Sequence, residues 1–297
     1  MSGAAGSHRG TIFLEDATVL AHQAFEGGQY VMRLLAPRCA EAATPGSFVH
    51  LTCGPELPMR RPLSIMRANP EAGWIEFLYK IVGEGLGHLS ARRPGDTISV
   101  LGPIGIPFVL NPQRRRPLLI GGGVGIPPML FVAEDMHRNG GDYEPLVIMG
   151  SELPFPFPTV ASSIALEGLS EQATHGLESL EKLGIPSRLA SWADLEGCHR
   201  GFVTDVARQW LDGLSAEELS QVEIMSCGPT PMLRAVAQVA RDYDLPCQVS
   251  LEEFMACAVG GCAGCTVPVN TPDGVAMKRV CVDGPVFEAR DVFPPAA

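Results

Sequence analysis

The chain has 297 residues, 46% of them hydrophobic, and a formal net charge of −11 at pH 7. That length holds two domains and a small module, and the acidic balance excludes a nucleic-acid binder, which needs a basic face. No apolar run is long enough to span a bilayer, MSGAAGSHRGTIF lacks a signal-peptide core, and nine cysteines without a secretion signal point to a reducing, cytoplasmic setting.

In chain order, residues 1–10 read as a disordered lead-in. From 11 to 112 the strand-like runs YVMRLLA, SFVHLTC, WIEFLYKIVG and DTISVLGP alternate with Gly and Pro turns, which predicts a small antiparallel β-barrel. Inside it stands Arg61-Pro62-Leu63-Ser64. A guanidinium there neutralises a pyrophosphate and a serine hydroxyl hydrogen-bonds a ring nitrogen or carbonyl. Taken alone, the four residues equally fit a turn with an exposed arginine. Leu78-Tyr79-Lys80 then leads into a glycine loop through Gly85 and Leu86, where backbone N–H groups can approach phosphate. Tyr79 also fits a half-buried strand aromatic, and Lys80 a solvated charge.

Residues 113–246 change pattern. Short apolar runs (PLLI, YEPLVIMGS, IPSRLAS, QVEIMSCGP) alternate with helical periodicity (PPMLFVAEDMHRNG, TPMLRAVAQVARDYDL), predicting an α/β nucleotide-binding domain. The run between them, LPFPFPTV and beyond, reads as a proline-rich stretch followed by polar sequence with helical patches. Gly121-Gly122-Gly123-Val124-Gly125 lies between a buried strand and a helix, where open α/β sheets bind nucleotides. Pro128 occupies the third glycine of the ordinary dinucleotide fingerprint, so that fingerprint fails. Cys227-Gly228 repeats the strand–Gly–Pro–helix arrangement, although a lone Cys227 reads as core. Glu152, just past a strand, can bind ribose hydroxyls and repel a 2′-phosphate, which favours NAD over NADP, and it equally fits a solvated loop glutamate.

Residues 247–297 form a cysteine module. Cys257, Cys262 and Cys265 follow C-x4-C-x2-C, with Cys281 after fifteen intervening residues. This is the order of plant-type 2Fe–2S ferredoxins, and the interleaved glycines let amide groups reach sulfur. Four thiolates also suit a structural Zn, whose usual pattern is two C-x2-C knuckles. On that alternative the chain is a Zn-stabilised regulatory binding module.

RPLSI, YKIVGEG, GGGVGIPP and CGPTPM, in this order and spacing, resemble the ferredoxin–NADP reductase superfamily, in which a flavin-binding barrel precedes a nicotinamide-binding α/β domain. With SLEEFMACAVGGC and CVDGPVF the resemblance narrows to electron-transfer subunits of NAD-dependent dihydroorotate dehydrogenase, and it covers residues 11 to 293. It implies FAD held by Arg61 to Ser64, with Leu78, Tyr79 and Lys80 along it and Gly85 and Leu86 facing its phosphates. Leu86 stands where the family usually has threonine, so the hydroxyl contact is missing there. It further implies a nicotinamide site from Gly121 to Gly125 with Cys227-Gly228, and a 2Fe–2S cluster on the four cysteines. The implied partner is an FMN-containing catalytic subunit, in a heterotetramer, in pyrimidine biosynthesis. Electrons there run from dihydroorotate through FMN, cluster and FAD to NAD. Equivalent NAD(P)H-linked subunits of a hydrogenase, of a sulfide or sulfite reductase, or of a ferredoxin:NAD(P) oxidoreductase share the same motifs.

Overall fold

A computed structural model gives the fold and describes residues 11–54, 57–139, 142–166, 168–169 and 172–295. The lead-in at 1–10 lies outside the described residues. Seven strands form the first sheet: β1 (Phe13–Phe25), β2 (Gln29–Leu35), β3 (Phe48–Leu51), β4 (Arg61–Ser64), β5 (Arg67–Asn69), β6 (Trp74–Lys80) and β7 (Thr97–Ile104). All pairs are antiparallel, in the order β4-β3-β7-β1-β2-β6-β5. The edge strands β4 and β5 are separated in the chain only by Ile65 and Met66, so the sheet curls back on itself. Ile65 donates its N–H to Ser47 O at 3.1 Å and Met66 to Glu76 O at 2.8 Å, which ties the seam. Strand residues alternate in and out, and Ala17, Met32, Leu34, Val49, Phe77 and Val100 fill the interior. Helices α1 (Pro37–Ala42) and α2 (Gly83–Ser90) add Cys39 and Leu89 to the same core.

The α/β domain runs β8 (Leu118–Gly122), α3 (Ile126–Arg138), β9 (Leu146–Gly150), β10 (Thr159–Ala161), β11 (His175–Leu177), α4 (Glu178–Glu181) and β12 (Ser187–Ser191). It continues with β13 (His199–Arg200), α5 (Val203–Asp212), α6 (Ala216–Leu219), β14 (Ile224–Cys227), α7 (Thr230–Asp242) and β15 (Cys247–Ser250). Strands β10 and β11 pair only with each other, in the stretch whose composition suggests helical patches. The main sheet has the order β13-β12-β9-β8-β14-β15-β18, where β18 (Val286–Glu288) is its one antiparallel strand. Buried on both faces, β8 and β9 are continuous apolar runs, as parallel strands need.

The sequence pattern puts Cys247–Ser250 at the start of the cysteine module. As β15 this segment instead pairs with β14, satisfying that strand's outer main-chain groups, and β18 pairs with β15 in turn. The module is therefore an excursion between two strands of the nucleotide sheet. It holds the hairpin β16 (Thr266–Thr271) and β17 (Gly274–Arg279) and the short helix α8 (Val280–Asp283), and α9 (Ala289–Val292) follows β18.

The three parts interlock through apolar side chains. Phe131 of α3 is buried in the barrel core, while Met66, Leu78 and Phe108 join the core under α3. A further cluster joins Phe48 and Ile104 of the barrel to Met255, Ala258, Cys265, Val280 and Cys281.

Candidate functional site

The strand order reverses between β8 and β14, and at this switch point an open parallel sheet leaves a crevice at its carboxyl edge. Both glycine motifs meet there. A Cβ on Gly125 would lie 2.4 Å from the carbonyl of Cys227, and one on Gly122 would lie 2.4 Å from Met232 Sδ. The two turns touch only because these positions lack side chains. Gly123, at φ +55, has nothing within 4 Å of its would-be Cβ and faces open space. Cys227 is fully buried, and its thiol is pushed well up by burial first and by Glu252 second. It is a neutral thiol, not a nucleophile. Glu152 is exposed two residues past β9, the strand beside β8.

On the barrel, Arg61 to Ser64 are strand β4 itself, not a turn. A Cβ on Gly85 would meet the Arg61 guanidinium at 2.9 Å, so the two motifs come together with the arginine lying over the first turn of α2. Arg61 Nη1 donates to Met59 O at 2.9 Å, which aims the guanidinium. Leu86 is partly buried against the barrel core. Along β6 the side chains alternate: Leu78 belongs to the α3 core, Tyr79 is 1% exposed inside the barrel, and Lys80 is exposed. Tyr79 Oη is 2.9 Å from His22 Nε2, and its ring stacks on Tyr30 with centroids 5.3 Å apart. Its side chain is therefore committed to the barrel interior and does not lie along the surface beside Lys80.

The four module cysteines are held as two pairs. Cys265 Sγ lies 3.3 Å from Cys281 Sγ in a buried core. Cys257 bonds through its side chain to Cys262, which is exposed. Burial alone would raise the Cys257 thiol, but amide groups of Val259, Cys262 and Gly261 bring it down to about 7. Cys281 goes the other way, to about 12, through burial and the adjoining Cys265. Ala258 and Ala263 take left-handed backbone at φ 57 and 54, beside Cys257 and Cys262. These turns cost about 1–2 kcal/mol per non-glycine residue, and the amides that follow them, of Val259 and Gly264, bond to the sulfurs of Cys257 and Cys262. Among the described residues no three His, Cys, Asp or Glu side chains converge as ligands of a single ion do. Two thiol pairs with amides aimed at sulfur suit a binuclear iron–sulfur centre, which takes two thiolates per iron.

Residues 252–293 match the family model described as the iron-sulfur cluster binding domain of dihydroorotate dehydrogenase B. The chain is 35% identical over 284 residues to a dihydroorotate dehydrogenase B (NAD(+)) electron transfer subunit from Geobacillus sp. (strain WCH70), covering 94% of this chain and 98% of the relative. The subunit of that name from Fusobacterium nucleatum subsp. nucleatum is 31% identical over 284 residues, with the same coverages of 94% and 98%. The chain belongs to this family of electron transfer subunits. Among solved structures, an NADH-dependent reduced ferredoxin-NADP oxidoreductase chain superposes with a TM-score of 0.74 at 23% identity, covering 94% of this chain and 90% of that one. The ferredoxin reductase in carbazole 1,9a-dioxygenase gives a TM-score of 0.60 at 22% identity, over 79% and 67%. Both likenesses are of fold.

For a member of this family of electron transfer subunits, the residues present fit a flavin, a nicotinamide and a cluster. Arg61 sets a cation over the glycine start of α2, the Gly121–Gly125 and Cys227-Gly228 turns leave a side-chain-free crevice, and the thiols come in pairs. Two neighbours of the site escape a reading of the sequence: Met232, which backs Gly122, and Glu252, which lies close enough to Cys227 to raise its thiol. CGPTPM and SLEEF contain both, but nothing in either run marks them as neighbours of the glycine turns. Among the described residues no helix is long and apolar enough to cross a membrane.

Proposed function

We propose that this chain is the NAD-linked electron transfer subunit of a dihydroorotate-oxidising enzyme of pyrimidine biosynthesis, carrying FAD and a 2Fe–2S cluster. The observation that carries the reading is a pairing. Phe48 stands opposite Ser64 of the flavin segment, and its side chain belongs to the apolar core that holds Cys265 and Cys281. Adjacent strands lie about 4.8 Å apart, so one strand separates the flavin edge from the cluster core.

A bound flavin accepts the two electrons of a hydride and a 2Fe–2S cluster carries one electron at a time, so together they join nicotinamide chemistry to a one-electron partner. The chain's own residues bind and orient. Arg61, over Gly85, neutralises pyrophosphate, and Ser64 supplies a hydroxyl at the ring. Gly121, Gly122, Gly123 and Gly125 with Cys227 and Gly228 leave room for a flat ring against main chain, and Glu152 receives ribose hydroxyls. Leu63 and Leu78 fill the apolar cores behind the flavin segment, and Cys227 backs the glycine turn as a neutral thiol. Cys257, Cys262, Cys265 and Cys281 supply the thiolates. No general acid or nucleophile is required of the protein.

The partner is an FMN-bearing catalytic subunit, two copies of each chain forming a heterotetramer in the cytoplasm. Nine cysteines, four of them set aside for the cluster, fit a reducing compartment. Co-expression with candidate partners and purification through this chain test the reading. The expected product is a brown complex whose flavin and cluster bands bleach on addition of NADH or dihydroorotate. Recovery with a hydrogenase or a sulfur-metabolising enzyme, or a colourless Zn protein, overturns it.

A further inference from the structure

One guanidinium joins the three segments that carry the nucleotide motifs. Arg67 opens β5, three residues after Ser64. Its Nε donates to both carboxylate oxygens of Glu134, at 2.8 and 2.9 Å, and Nη2 lies 2.7 Å from Glu134 Oε1. Its Nη1 donates to Glu76 Oε1 at 3.1 Å. Glu76 sits on β6 ahead of Leu78-Tyr79-Lys80 and also accepts from Arg33 Nη2 at 2.7 Å. Glu134 sits on α3, the helix that begins directly after Gly125. The carboxylates are 14% and 9% exposed and Arg67 21%, so water screens this network little.

We propose that Arg67 and Glu134, backed by Glu76, are positioning residues that set the distance and tilt between the flavin segment and the nicotinamide turn. The inference rests on the functional reading above. From Gly125 to Glu134 a helix rises about 13 Å, roughly two and a half turns, so a rigid α3 carries the constraint to its first turn. Phe131, one turn before Glu134, already anchors α3 in the barrel core. Apolar contact is non-directional, so Phe131 and the Met66, Leu78 and Phe108 contacts set the depth of α3 more tightly than its tilt. A forked guanidinium–carboxylate pair is directional and fixes that tilt. The clamp joins residues 67 apart in the chain, each close in sequence to one nucleotide motif.

The test uses the full chain, FAD-loaded and in complex with its catalytic partner. Glu134→Gln keeps the shape and removes the charge. Mixing with NADH reads two quantities: the long-wavelength charge-transfer absorbance, which reports ring-on-ring stacking, and the limiting rate of flavin reduction. The expected result is a weakened charge-transfer band and a limiting rate down about 10- to 100-fold, the scale of a 1 Å misplacement. The NADH dissociation constant changes less than about threefold, because contacts to the cofactor remain. Glu134→Asp, which keeps the charge, recovers part of both losses. A Glu134→Gln variant with wild-type band and rate overturns the clamp, whatever happens to its melting temperature. Should that variant fail to fold, Arg67→Lys, which forfeits the fork, is measured in the same way, and a wild-type band and rate there overturn the clamp equally. A wild-type complex that NADH does not reduce sinks the functional reading instead.

Discussion

Gly125 meets the carbonyl of Cys227 at the distance where any side chain would collide with main chain on a second strand. Neither side is a flexible side-chain end, so Gly125→Ala has to push β14 and the α3 turn apart. Overpacking of this sort costs about 1–3 kcal/mol, and it widens the crevice between the two glycine turns, the nicotinamide site proposed above. Thermal melting of the variant is expected to fall, and stopped-flow reduction of its flavin by NADH to slow in the same preparation. Cys262 is the opposite case. It is the exposed member of the four thiols, so Cys262→Ser leaves the buried Cys265 and Cys281 core untouched. The variant is expected to lose the 2Fe–2S electron paramagnetic resonance signal and all transfer to the partner, while NADH still bleaches its flavin. Loss of flavin reduction as well would show that the cysteines hold the nucleotide domains together.

Among elements, the linker between barrel and α/β domain is tied at several points. Ile106 donates its N–H to Gly284 O at 2.7 Å, and the Gln248 side chain both accepts from Val109 N and donates to Val109 O. Asn111 N–H donates to Glu223 Oε1 at 3.0 Å. Glu223 is 3% exposed at the edge of a cleft of about 510 Å³, with Glu288 in the same lining. Burial, reinforced by Glu288, pushes its carboxyl up to about 7, against the lowering pull of Asn111 N–H and Arg114. A carboxyl raised in the fold binds its proton more tightly folded than unfolded. Its stabilising share is therefore complete below the unfolded value near 4.5 and is lost as pH rises through about 7. Screening at the cleft mouth leaves that share at about 1–2 kcal/mol. Glu223→Gln is expected to flatten the fall of melting temperature between pH 5 and 8, measured by calorimetry.

At the same scale lies the limit of what the sequence discloses. The main strands and the helices α3 and α7 are legible because their apolar runs are long or periodic, and each glycine turn stands beside one. The four-residue β15 and three-residue β18 carry no such signal, and only pairing assigns them to the nucleotide sheet. Tyr79 points into the barrel because it pairs with Tyr30, and strand parity follows from that register. RPLS is a strand through its pairing with Phe48–Leu51, again a partner distant in the chain. Arg67 and Glu134 sit in unremarkable polar positions, and only the packing of α3 on the barrel brings them together.

For the whole molecule, the cluster loop carries an apolar surface that the described residues leave exposed. Phe254 is 94% exposed, three residues before Cys257, and Val259 is 48% exposed, two residues after it. Val275 and Met277 of the neighbouring hairpin are 69% and 61% exposed. A phenylalanine left wholly in water contributes nothing to folding, whereas buried under a second chain it becomes an anchor of the kind that dominates interface energetics. The exposed Cys262 lies on the same loop, so a chain docked there reaches the cluster's outer edge. Phe254→Ala should therefore leave the melting temperature of the isolated chain and the bleaching of its flavin by NADH unchanged. Its dissociation constant for the catalytic partner is expected to rise at least about tenfold, the equivalent of roughly 1.4 kcal/mol. Titration calorimetry with the two purified subunits reads this directly. Unchanged affinity places the partner on another face, and then electrons leaving at Cys262 have no receiver within the complex.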